Sequence, residues 1–289
     1  MSAKVFLDYD QKALDDAYDQ AVYARNRDQI LARLAAASAL ARARLGEPLR
    51  LAYGDAEIEK LDLYRTGRPD APVNVFIHGG AWLRGLARNY AFPAEMFTAA
   101  GAHYAAIDFN NVTETGGELA PMADQVRRAI AWVCRNAASF GGDPARVHVS
   151  GTSSGAHFGG VAAATDWQQE FGLPRDAVKG YTLVSGMYDL RGPRLSKRAS
   201  YVKFTDQVED ALSAQRHLER IVAPVALVYG SLETPEFQRQ SREFAAALRQ
   251  AGKSVELVLA EGYNHFEIAE TLGNPYGPAG RAALAQMGL

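Results

Sequence analysis

A single cysteine, Cys134, in 289 residues excludes any intrachain disulfide framework. It follows Trp132 and Val133 in a helical pattern with no histidine or basic pair beside it, so it is expected to be a small buried hydrophobe and not a nucleophile. Neither sign of charge prevails. The net charge is -2 at pH 7, and no long segment is biased, which leaves nucleic acid and acidic membranes without an electrostatic footprint. Long apolar runs are lacking as well: near the N-terminus only Val5 to Leu7 precedes Asp8 and Asp10, too short for a signal-peptide core or a membrane span, and a cytoplasmic location is expected. HExxH, paired CxxC, Walker-type and G-x-G-x-x-G patterns are all missing. No metal and no cofactor are therefore expected; the expected partner is a small-molecule substrate, and a homodimer is compatible with the composition.

With 48% hydrophobic residues the chain can bury a sizeable core. No linker interrupts it, so one domain over 1–289 is expected. Residues 10 to 45 read as a helix, with early acidic residues and with Ile30, Leu31 and Leu34 on one face, ended by Gly46 and Pro48. That makes an N-terminal helical arm over 1–48. Short apolar runs at Leu61 to Arg65, Val73 to Ile77, His103 to Phe109, Val147 to Ser153, Tyr181 to Ser185, Val225 to Tyr229 and Val255 to Ala260 read as strands. Helical patterns fall between them, notably Pro121 to Phe140 and Pro235 to Gln250, and Ala279 to Met287 closes the chain. The alternation predicts the α/β class: a mostly parallel sheet with helices on both faces and sites beyond the carboxyl ends of the strands. It breaks once, at polar residues 191–220, which read as a cap insertion.

One stretch carries the chemistry. Gly151-Thr-Ser153-Ser-Gly155 is a G-x-S-x-G on a strand-to-helix turn, which would hold Ser153 strained with its Oγ exposed. A serine hydroxyl is a weak nucleophile at neutral pH and needs a base, and that base needs an orienting group. His265, after the last strand, and Glu233, after the strand before it, supply the order Ser, acid, His. The oxyanion of an acyl-transfer intermediate needs backbone donors in a cleft that side chains do not obstruct. His78-Gly-Gly-Ala-Trp82 provides them at Gly79, Gly80 and Ala81, with the N–H of Ser154 after the nucleophile; His78 itself is expected to organise that loop. His157, one turn beyond Ser153, is a weaker candidate base because its side chain would point into packing, and Asp189 is a weaker candidate acid because it precedes the insertion. Trp82, Tyr18 and Tyr23 are candidate lining for an acyl or aryl pocket. Arg191, Arg194, Lys197 and Arg198 form a basic cluster that would either select an anionic substrate or lie solvated on the surface.

These motifs resemble those of the α/β-hydrolase superfamily, and within it the chain is similar to arylformamidases and to esterases near the hormone-sensitive lipase group. The likeness rests on His78 to Trp82, Ser139 to Pro144, Gly151 to His157, Ser185 to Leu190, Glu233 to Phe237 and Asn264 to Phe266. It implies an α/β-hydrolase fold and a serine hydrolase cleaving a small carboxylic ester or an aryl amide or formamide through an acyl-enzyme. Two stretches depart from the pattern of those relatives: Thr152-Ser153-Ser154 stands where His-Ser-Ala is usual, and Asp108-Phe-Asn-Asn111 where Tyr-Arg-Leu is usual, which makes Asn111 a candidate pocket residue. A ligand-binding protein that keeps the scaffold without turnover is the reading from another class.

Overall fold

The computed structural model describes residues 3–289. The arm expected as one helix is three: α1 (Gln11–Ala17), α2 (Gln20–Tyr23) and α3 (Arg27–Leu45). An acidic residue explains the first break. Asp10 accepts the N–H of Ala13 and Asp19 that of Ala21, so each caps a new helix, and Asp19 interrupts what apolar spacing alone would continue. Along α3, Ile30 and Leu34 are buried while Leu31 is exposed.

Eight strands follow: β1 (Leu49–Ala52), β2 (Lys60–Tyr64), β3 (Ala71–Ile77), β4 (His103–Ile107), β5 (Gly142–Thr152), β6 (Val178–Val184), β7 (Val225–Gly230) and β8 (Val255–Ala260). They form one sheet in the order β1-β2-β4-β3-β5-β6-β7-β8. Only β2 runs against the others, pairing antiparallel with both β1 and β4. The short edge strand β1 has no counterpart among the expected strands; its alternation is too brief to read, and pairing with β2 at Leu49↔Leu63 to Ala52↔Lys60 is what makes it a strand. Every residue of β3 is buried, as its unbroken apolar run requires between two helical layers. From β3 the chain steps to β4 on one side, and β5 onward lies on the other. The carboxyl ends of β3 and β5, paired at Ile77↔Gly151, therefore flank the crevice where the connections diverge.

The later helices are α4 (Ala94–Ala100), α5 (Ala120–Asn136), α6 (Ser154–Ala163), α7 (Trp167–Phe171), α8 (Arg191–Leu195), α9 (Asp206–Ala211), α10 (Pro235–Gln250), α11 (His265–Glu270) and α12 (Pro278–Met287). Val73, Val75 and Ile77 pack into one core with Val126 and Ile130 of α5, Phe158 of α6 and Phe244 of α10. Phe76, pointing the other way, packs with Phe97 of α4 and Ala283 of α12. All ten residues of α6 are buried. Within 191–220, one short 3₁₀ turn lies between α8 and α9 and two follow α9. Among the described residues no helix is long and apolar enough to cross a membrane.

Cys134 lies on α5, 7% exposed, and burial pushes its thiol up to about 12. A disulfide reagent at pH 8 is expected to leave the native protein unmodified and to titrate one thiol after denaturation; rapid native reaction would contradict this packing.

Candidate active site

Strand β5 runs into α6 through Ser153, which has φ 55° and ψ -122°. That backbone region is costly for any residue with a Cβ, and it persists only where the surroundings enforce it. Here they do. A Cβ on Gly155 would overlap the carbonyl oxygens of Ile77 and His78, so the glycine lets the start of α6 lie directly against the end of β3. Ser153 N–H also donates to Val184 O of β6 at 2.8 Å.

The turn presents Ser153 Oγ to His265 Nε2 at 2.9 Å, and His265 Nδ1 lies 2.7 Å from Glu233 Oε2. Ser153, Glu233 and His265, spread over 112 positions of sequence, are thus joined by two hydrogen bonds. The Glu233 side chain is fully buried. Its other oxygen accepts from Ser185 Oγ at 2.6 Å and from Gly230 N–H at 2.7 Å, so each carboxylate oxygen is engaged. Ser185, at the end of β6 with φ 57°, was not among the candidate residues, although it ends a strand run and opens one of the stretches that carry the family likeness. His265 is the first residue of α11 and not part of a loop. Asn264 caps that helix in a capping box with Glu267, and the arm braces the cap: Asn26 Nδ2 donates to Glu267 Oε1 at 2.7 Å, while Asn264 Nδ2 donates to Asn26 Oδ1 at 2.9 Å. Phe237 of α10 stands edge-on to the His265 ring at 4.9 Å.

Beside the turn, Gly80, Ala81 and Trp82 have successive φ values of 126°, 58° and 65°. The loop doubles back tightly enough that Gly80 O accepts from both Leu83 N–H and Arg84 N–H, and a Cβ on Gly80 would overlap the Arg84 carbonyl. Trp82 N–H donates to Ser154 Oγ at 3.2 Å, tying loop to turn. Among the described residues the N–H groups of Gly80, Ala81 and Ser154 donate to no carbonyl. His78 Nδ1 lies 2.9 Å from Gly79 O, and its ring stacks on Phe109 at 4.3 Å. Burial lowers its pKa, so a neutral imidazole donates to that carbonyl and steadies the loop. A cavity of about 10 Å³ lies here, lined in part by Gly79, Trp82, Asn111 and Ser154. A larger groove of about 370 Å³ runs along Leu49, Leu63 and Tyr64, beside the amino end of β4 and away from this turn.

The remaining candidates have other partners. His157 accepts the indole N–H of Trp82 on Nδ1 at 3.2 Å and donates from Nε2 to Leu212 O at 3.0 Å, so both ring nitrogens are committed to packing. Asp189 Oδ1 accepts Arg191 N–H at 2.9 Å and pairs with Arg216, while the carboxylate at His265 is that of Glu233. Trp82 and Tyr18 are each 2% exposed, hence core, with Tyr18 Oη donating to Glu236 at 2.7 Å; Tyr23 is exposed. Asn111 Oδ1 accepts from Thr113 and Glu114 N–H, closing its own turn. Arg194 pairs with Asp206 and Glu209, and Arg191 lies 3.9 Å from Glu209, so these two guanidinium groups meet carboxylates of the same segment. Among the described residues no cluster of three or more His, Cys, Asp or Glu side chains is placed to hold a metal.

A mostly parallel eight-stranded sheet, with a strained serine at its switch point hydrogen-bonded to a histidine beyond the last strand, defines an α/β-hydrolase fold. A family model described as BD-FAE matches residues 61–186. The kynurenine formamidase of Danio rerio is 32% identical over 228 residues, covering 76% of this chain and 75% of that one. The isoprenylcysteine α-carbonyl methylesterase of Arabidopsis thaliana is 27% identical, covering 75% of this chain and 56% of its own length. Among solved structures, a candidate thioesterase from Silicibacter sp. superposes with TM-score 0.79 at 21% identity, over 91% of this chain and 95% of that one, which shows the shared fold. The chain belongs to the kynurenine formamidase family.

Histidines buried in the neutral form weaken the fold in acid. Desolvation pushes His148 and His157 each down to about 4 from 6.5. Between those values the unfolded chain binds protons that the folded chain does not, so stability is full above about 6.5 and is lost as pH falls toward 4. Urea unfolding across that window should show a shallower pH slope for His157→Gln than for wild type, by about 1.4 kcal/mol per pH unit if the full proton is lost; parallel slopes would place the titration elsewhere.

Proposed function

We propose that the protein is a cofactor-independent serine hydrolase that cleaves a small carboxylic ester or an aryl amide or formamide through an acyl-enzyme. The observation that carries this is the continuous chain from Ser153 Oγ through His265 to the buried Glu233, at 2.9 and 2.7 Å. In this mechanism Ser153 Oγ attacks the carbonyl carbon as its proton passes to His265 Nε2, and Glu233 holds the Nδ1–H tautomer and stabilises the imidazolium. The N–H groups of Gly80, Ala81 and Ser154, with Gly79 shaping the loop, receive the developing oxyanion, and a preorganised donor contributes most where it need not reorient. Collapse breaks the bond to the leaving group, which takes the proton from His265. Water then attacks the acyl-enzyme with His265 as base, releasing the acid and restoring Ser153.

Kinship with a formamidase and with a methylesterase supports the same pair of bond types, and the 32% identity to the formamidase makes a dedicated arylformamidase the second reading. We read the chain as one domain in which 191–220 caps the site and the arm clamps that cap. Gln11 Nε2 donates to Leu195 O at 2.9 Å, and Lys197 pairs with Asp19. A cytoplasmic setting completes the reading.

A fluorophosphonate should label the wild type at Ser153, and hydrolysis of short aryl esters and N-formyl aryl amines should fall about 10⁴-fold or more in Ser153→Ala without loss of fold. Absence of labelling, or retained turnover in the variant, would point to a binding protein on this scaffold. Replacing Glu233 by Gln should lower kcat by about 10²-fold or more with KM little changed, while Asp189→Asn stays within a few-fold of wild type. The opposite ranking would reassign the acid.

A further inference from the structure

The donor loop is held against the nucleophile turn at two points. At its start, a Cβ on Gly79 would lie 2.8 Å from Thr152 O and 3.1 Å from Ser153 Cβ, so the bare glycine rests directly on the end of β5. At its end, Trp82 N–H donates to Ser154 Oγ at 3.2 Å, and among the described residues it donates nowhere else. Gly80 and Ala81, which carry two of the three donors assigned to the oxyanion, are the residues between these points. The third donor is the N–H of Ser154 itself. Ser154 therefore joins the two donor groups: its backbone supplies one of them, and its side chain holds the loop that supplies the other.

Backbone preference does not keep the loop in place. Ala81 and Trp82 have φ values of 58° and 65°, a conformation that a residue with a Cβ leaves unless its surroundings enforce it. Trp82 has other anchors, since its indole N–H donates to His157 Nδ1 at 3.2 Å and its carbonyl accepts from Val112 N–H at 2.7 Å. Neither of these reaches the peptide group that joins Ala81 to Trp82; the bond to Ser154 Oγ does. Trp82 and Ser154 are only 2% and 3% exposed, so without Oγ the Trp82 N–H would be buried with no acceptor, and the loop would have to turn to satisfy it. The departure from the alanine usual in the relatives puts an acceptor at the point where the strained loop needs one.

We propose that Ser154 is a positioning residue whose hydroxyl, by accepting Trp82 N–H, keeps the Gly80 and Ala81 N–H groups aimed at the oxyanion. This rests on the hydrolase reading above. The hydroxyl itself touches no reacting atom and exchanges no proton; it acts through the loop.

The test uses phenyl acetate and O-phenyl thioacetate, which differ only in the atom that becomes the anion. Sulfur is larger and a weak acceptor, so well-aimed donors favour the oxygen ester. Ser154→Ala, with rates referred to titrated active sites, should lower kcat for phenyl acetate about 10-fold with KM changed less than about 3-fold. The oxygen-to-sulfur ratio in kcat/KM should shrink about 5-fold or more, because misaimed donors discriminate less. The pH profile should not move, since His265 and Glu233 keep their partners. Wild-type kcat in the variant, a loss shared equally by the two esters, a shifted pH profile, or no oxygen preference in wild type would overturn the proposal and leave the hydroxyl as packing. Should Ser154→Ala not fold, Ser154→Cys keeps the volume with a weaker acceptor and decides by the same ratio, an unchanged ratio overturning the proposal. Failure of wild type to hydrolyse phenyl acetate would sink the hydrolase reading instead. Amide hydrogen exchange over residues 79–84 then tests the tether by itself: Ser154→Ala should exchange faster there than wild type, and equal protection overturns the proposal.

Discussion

The buried carboxylate of Glu233 is the constraint to which the rest of the site is fitted. A carboxylate withdrawn from water is tolerated only where donors meet its oxygens. Here the donors come from three separate elements: Ser185 at the end of β6, Gly230 at the end of β7 and His265 at the start of α11. Because each is fixed to a strand end or a helix start, the requirement of one side chain sets the spacing of β6, β7 and α11 relative to one another. It also fixes which nitrogen of His265 faces Ser153.

The second constraint is backbone strain. Ser153, Ser185, Ala81 and Trp82 all have positive φ with a Cβ present, and all sit at the carboxyl end of the sheet. Strain of this kind costs on the order of 1–3 kcal/mol at each position and has to be offset by packing elsewhere. The fully buried α6, the stacked pair His78 and Phe109, and the Trp82–Ser154 and Trp82–His157 hydrogen bonds hold these turns in place. His157, neutral and bonded at both nitrogens, belongs to that support.

The N-terminal arm is the third contributor. It reaches the histidine helix through Asn26, α10 through Tyr18 and Glu236, and the 191–200 segment through Asp15, Asp19 and the Tyr18 carbonyl. A segment outside the alternating β and α pattern therefore touches α11, α10 and the segment that carries Arg198. Its first two helices, short and capped by aspartates, let the chain change direction before the longer α3.

Local chemistry by itself determined a good deal. Glycines spaced about Ser153, apolar runs long enough to be buried on both faces, and strand ends carrying Glu233 and His265 are written within a few residues of one another, and the resulting α/β sheet and its helices follow from them; α10 and β8 even begin and end where Pro235, Gln250, Val255 and Ala260 suggest. Long-range pairing decided what remained. The edge strand β1 exists because β2 is beside it, and Ser185 and Asn26 matter through partners far away in sequence. The basic cluster shows the limit most clearly. Arg191, Arg194, Lys197 and Arg198 look alike as a run of charge, and nothing in their order tells which will meet Glu209, Asp206 or Asp19 and which will be buried over Trp82 without a counter-charge, because an ion pair is set by distance in space and desolvation by what the folded chain places around the group.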